Sequence, residues 1–134
     1  ALGRIGTTNP DAIRFLQENL QNPNAADTHA VSALSLGLIG APAQDALPAL
    51  VERLESVATQ ADDPDFDSYI PQYSANAIAT IIQEILTLSP TLPQSERAQL
   101  SRYIERSLTA IEALPPEFGQ LKDSLQKALA ATSL

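Results

Sequence analysis

No cysteine occurs anywhere in the 134 residues. Disulfides, thiolate nucleophiles and cysteine-ligated zinc or iron–sulfur centres are therefore excluded. The compartment is not named by that absence, because proteins on either side of a membrane can lack thiols. Lysine is nearly missing as well: Lys122 and Lys127 are the only two, and eight basic side chains stand against sixteen acidic ones for a net charge of −8. That balance lacks the cationic surplus that a phosphate backbone rewards, and an aromatic content of 4% leaves few platforms for stacking bases. Nucleic acid is not an expected partner. Long apolar runs are also absent: the uncharged stretches 28–44 and 68–83 are broken by proline or glycine and fall short of the ~20 apolar residues that a spanning helix needs. No membrane-spanning segment is expected. A single histidine, His29, has no second imidazole or His-Glu pair beside it to build a metal site, so it is read as a polar residue at a helix end.

What the chain does contain is a duplication. Set against each other at an offset of 34, residues 1–20 and 35–54 agree at nine positions, where average composition predicts about one or two. Gly3-Arg4-Ile5-Gly6 answers to Gly37-Leu38-Ile39-Gly40, and Asp11, Leu16, Glu18 and Leu20 to Asp45, Leu50, Glu52 and Leu54. The unit reads as paired helices. Asn9-Pro10-Asp11 is a helix start, with a cap, a proline at the first helical position and an acid at the positive end, and Ile13, Leu16 and Leu20 follow with helical spacing. From Asp27-Thr28 a second helix runs to Gly40 with Ala30, Val31, Ala33, Leu34, Leu36, Leu38 and Ile39, which leaves almost no polar face and predicts cover on both sides. Ala41-Pro42 leads into its partner, where Leu47, Leu50, Leu54 and Val57 face inwards.

An acidic insertion, 59–67, then interrupts the spacing. Helix returns near Pro71 and runs to Ser89-Pro90. A long helix with Leu100, Ile104, Leu108 and Ile111 inside preserves the phase of the second repeat at an offset of 54. A last amphipathic helix, 116–131, carries Phe118, Leu121, Leu125 and Leu129 and suits a terminal cap. The expectation is an all-α fold of about six helices: residues 1–134 as a single helical-repeat domain, a short right-handed solenoid of antiparallel pairs. Because Ala1 falls inside the first repeat, the sequence is read as a fragment truncated within it, with no leader pattern in what remains. Composition leaves the compartment open, and a cytoplasmic location is the working expectation.

Leu36-Gly37-Leu38-Ile39-Gly40, followed by Ala46-Leu47-Pro48-Ala49-Leu50 and Leu54, resembles the HEAT repeat, in particular the short variety named after phycobilisome lyases. Residues 2–20 resemble it again, and the likeness is specific over 1–57. The resemblance implies stacked helix pairs whose second helices line a concave side, and members that act mostly as scaffolds and adaptors. It also implies an alternative function, an accessory of bilin attachment, for which Arg14, Arg102, Arg106, Tyr69, Tyr73 and Tyr103 are the available contacts. The glycines have a structural reading of their own: Gly3 and Gly37 permit close helix approach, while Gly6 and Gly40 fit a left-handed cap.

Chemistry is poorly supported by the residues. The carboxylates of 63–67 alternate as in a calcium loop, but Ser68 and Ser74 stand where the turn glycine and the closing glutamate belong. Glu52 and Glu55 are the nearest approach to a hydrolytic carboxylate pair, on a face expected to be open, and no histidine completes a serine triad. No enzyme, metal or cofactor is expected. If Ile13, Leu16 and Leu20 point inwards, a ridge of Arg14, Glu18 and Gln21, then Pro48, Glu52 and Glu55, then Arg102, Arg106 and Thr109 points out. That ridge is the expected contact surface for another protein or a larger assembly, through charge complementarity.

Overall fold

The computed structural model describes residues 10–64 and 66–133, the side chains of Ala25 and Ala26 excepted. Gly3, Gly6, Asn9 and Asp65, and with them the opening segment of the first repeat, lie outside the described residues. Within them the chain is all-helical and no strand occurs. Six α-helices follow in order: α1 (Pro10–Gln21), α2 (Ala26–Ile39), α3 (Leu47–Ala58), α4 (Tyr69–Leu88), α5 (Gln94–Glu112) and α6 (Leu121–Thr132). Short 3-10 turns occupy Pro23–Ala25, Ala41–Ala46 and Pro116–Phe118.

The helices stop where local chemistry requires. Pro10 opens α1 without losing a bonded donor, and Pro71 is tolerated in the first turn of α4 for the same reason. Pro93 precedes α5, its carbonyl accepting the amides of Glu96 and Arg97. Gly40 ends α2 at φ 80° and ψ −141°, with its amide still bonded to the Leu36 carbonyl. The positive φ is as expected of a terminal glycine, but the ψ is not that of a left-handed helical cap. It belongs to an extended region open to glycine alone. The connection that follows is longer than a tight turn: six residues of 3-10 helix, with a kink at Ala43, separate α2 from α3.

Packing follows a short-range rule. The principal contacts join helices one or two steps apart in the chain. α2, α4 and α6 touch in succession, α1, α3 and α5 touch in succession, and α1–α2, α3–α4 and α5–α6 link the two rows. α4 holds the centre, against α2, α3, α5 and α6. Leu16, Leu50 and Ile104, the expected inward positions of three successive units, are all buried. In α5 the inner stripe is Leu100, Ile104, Ser107 and Ile111, with Leu108 only half-buried; the Ser107 hydroxyl is satisfied by the Tyr103 carbonyl. Where α2 meets α4, a Cβ built on Gly37 would stand 3.1 Å from the Ala77 Cα, so the glycine does admit a close backbone approach.

One expectation is overturned. α2 is not covered on both sides: Val31, Leu34 and Leu38 are 60%, 40% and 43% exposed. α2 buries His29, Ala30, Ala33 and Leu36 against α1, α4 and the Ala41–Ala46 turn, and no described helix lies over the remaining arc. A uniformly apolar helix measures how much surface can be buried, not how much is.

Candidate functional site

Two helices of one row, α3 and α5, form a seam at the surface. Pro48 borders a hollow with Gln99 and Tyr103, Glu55 pairs with Arg106, and Ala58 and Thr59 border a second hollow with Thr109 and Ala113. Residue numbers rise together along both helices, so the two run side by side in the same direction.

At its middle, Arg106 donates from Nε to Glu55 Oε2 at 3.0 Å and from Nη2 to Oε1 at 2.6 Å. This two-pronged geometry is the strong form of an ion pair, and those hydrogen bonds raise the Arg106 pKa above its ordinary value, against a smaller effect of burial. The pair divides the seam. Towards the helix N-termini a hollow of about 210 Å³ is walled by Asp45, Pro48, Glu96, Leu100 and Tyr103. Towards the C-termini a hollow of about 400 Å³ is lined by Ala58, Ala110 and Ala113 together with Thr59, Thr109, Glu105 and the ion pair itself.

The expected ridge falls on this row. Arg14, Glu18 and Gln21 are exposed on α1, Glu52 on α3, and Arg102, Arg106 and Thr109 on α5, while Pro48 and Glu55 are half-buried. The structure brings Glu55 and Arg106 together and places Pro48 and Thr109 in the two hollows. Arg102 instead donates to Gln99 Oε1, and Arg14 lies 4.0 Å from Asp11. Equivalent positions are not facing ones: Glu55 corresponds by repeat to Thr109 but pairs with Arg106, one turn earlier, because the helices are staggered. That stagger is invisible to an alignment of repeats.

The residues singled out for a tetrapyrrole are dispersed. Tyr69 and Tyr73 stack on each other on α4 at 5.7 Å, Tyr103 borders the smaller hollow, Arg106 the larger, and Arg102 a separate depression with Arg97. His29 is more than a polar end residue. It is 2% exposed, and its Nε2 stands 2.8 Å from the Asn22 carbonyl. Burial lowers its pKa, the Asn22 carbonyl opposes that shift, and the Arg53 charge adds to it. Around the acidic insertion, the Asp67 carboxylate accepts the Tyr69 amide, and no group of three metal-ligating side chains is assembled among the described residues.

Three anchoring side chains escaped the sequence reading. Arg53 donates from Nε and Nη2 to the Leu20 carbonyl at 3.0 and 2.6 Å, and Glu84 Oε1 accepts the Ala41 amide at 3.0 Å. Arg97 gathers the carbonyls of Leu92 and Pro90 at 3.0 and 2.7 Å. Arg53 and Glu84 satisfy backbone groups left over at helix ends and Arg97 those of the connection before α5, for which side-chain identity alone gives no signal. Set beside known proteins, the chain matches no protein-family model, no curated protein and no solved structure.

Proposed function

We propose that this protein is a non-enzymatic interaction module: a HEAT-like solenoid of antiparallel helix pairs that binds another protein along the α1–α3–α5 row. The solenoid reading is supported by the ladder of near-neighbour contacts and by α3 and α5 running the same way, which a chain of hairpin-connected helices produces when every second helix stacks on the last. The observation that carries the functional reading is the α3–α5 seam, a charged surface with two hollows beside an ion pair.

Glu55 and Arg106 remain 39% and 45% exposed, and solvent screening holds the contribution of even this bidentate pair to about 1 kcal/mol. Charge reversal there changes the surface, and its cost to the fold is read from the helicity of the variant. The test is affinity capture from the native source with the intact chain and with an Arg102→Glu/Arg106→Glu variant, whose helicity is checked by circular dichroism. A changed yield of a captured protein in the variant is expected, a gain where the partner is cationic and a loss where it is acidic, and unchanged capture removes the ridge as the contact surface. The bilin-accessory alternative predicts a visible absorbance band retained by the purified chain after incubation with a linear tetrapyrrole; the scaffold reading predicts none.

A further inference from the structure

The two hollows of the α3–α5 seam differ in chemistry, and the difference specifies an occupant. Asp45, Glu96 and Tyr103 all line the smaller one. Two anions beside an aromatic ring form the surroundings that a guanidinium prefers, since the ring face and the carboxylates attract the same charge. The larger hollow has an apolar floor of Ala58, Ala110 and Ala113 with Thr59 and Thr109 beside them, next to the Glu55–Arg106 pair and Glu105, and the floor takes an apolar side chain.

The seam is net acidic. Asp45, Glu52, Glu55, Glu96 and Glu105 outnumber Arg102 and Arg106, and Arg106 is already bonded to Glu55. The spacing is fixed by α3 itself. Pro48 marks one hollow and Thr59 the other, so about eleven residues at 1.5 Å each separate them by roughly 16 Å.

We propose that the seam receives a cationic amphipathic helix of a partner protein, with an arginine in the smaller hollow and a leucine-sized apolar side chain in the larger, about three turns apart. This rests on the scaffold reading and names the chemistry of its partner. Charge complementarity sets the orientation of such a helix, and the apolar side chain anchors it.

The probes are three fluorescein-labelled, alanine-based helical peptides of equal length. The first carries an arginine and a leucine about eleven positions apart, the second replaces the arginine by glutamate, and the third replaces the leucine by alanine. Fluorescence anisotropy with the full chain is expected to rank the first roughly fivefold or more above each of the others, and added salt narrows its lead over the glutamate peptide. An Asp45→Asn/Glu96→Gln variant is expected to abolish the preference for arginine over glutamate. Ala113→Leu, at an exposed position, fills the larger hollow and is expected to abolish the preference for leucine.

Equal binding of the three peptides, no binding up to about millimolar protein, or preferences that persist in both variants overturns the proposal. Self-association of the chain that Ala113→Leu abolishes also overturns it, by assigning the seam to a second copy. If the peptides fail while native capture still depends on Arg102 and Arg106, the cationic-helix assignment falls and the scaffold reading stands. If capture is also indifferent, both fall.

Discussion

A methyl group at Gly37 would press on the Ala77 backbone, and a branched side chain would force α2 and α4 apart. Gly37→Val is expected to destabilise the protein by about 1–3 kcal/mol in urea unfolding, the usual cost of overpacking a close contact. His29 makes a pH-dependent contribution. Its folded pKa lies below the ordinary value of 6.5, so between the two values the unfolded chain binds the proton and the folded chain does not. The groups facing it are the Arg53 guanidinium from α3 and the carbonyls of Asn22 and Asn19 at the end of α1. Its contribution is present above pH 6.5 and is lost as pH falls from there towards the folded pKa. His29→Gln retains an amide donor for Asn22 and is expected to flatten the decline in unfolding midpoint between about pH 7.5 and 5.5. A decline identical to that of the unaltered chain refutes the assignment.

At the scale of elements, the rows are tied by side chains that reach the ends of neighbouring helices. Arg53, on α3, closes the Leu20 carbonyl of α1, and a hydrogen bond from a charged donor contributes about 1.5–3 kcal/mol. Arg53→Leu is therefore expected to raise hydrogen exchange throughout Pro10–Gln21 while leaving α4 protected. Uniform loss of protection would show instead that Arg53 supports the molecule as a whole. Four of the helix ends were legible because a boundary signal follows each: Asn22-Pro23, Gly40, Ser89-Pro90 and Leu114-Pro115 fall at or just past them. The exposed arc of α2 was not legible. Val31, Leu34 and Leu38 look the same in sequence whether or not a neighbour lies over them.

Across the whole molecule, near-neighbour contacts make stability uneven. Among the described residues α4 touches four helices, whereas α1 rests mainly on α2 and α3. Ile78→Ala in α4 and Leu16→Ala in α1 both remove buried side chains at a cost of about 2–5 kcal/mol. The first is expected to lower the protection of all six helices and the second chiefly that of α1, as an array coupled through adjacent units requires. Native-state hydrogen exchange distinguishes these outcomes, and equal spreading from both sites would contradict the ladder of contacts. Charge is uneven as well. Residues 1–93 hold eleven acidic and three basic side chains, and residues 94–134 hold five of each, so the net charge of −8 sits entirely on the N-terminal side.

The sequence alone determined that the chain is helical and which stripe of most helices is apolar, because these depend on residues three or four apart; it did not place every boundary, since the last helix, expected over 116–131, begins only at Leu121 after a separate 3-10 turn at Pro116–Phe118. Most outward positions also followed from the inward ones, with Pro48 and Glu55 half-buried. Only the tertiary structure decided the one-turn stagger that joins Glu55 to Arg106, the two hollows beside that pair, and the burial of His29. Each depends on how one helix slides against the next, a degree of freedom set by side-chain packing between residues some fifty positions apart rather than by the pattern within either helix.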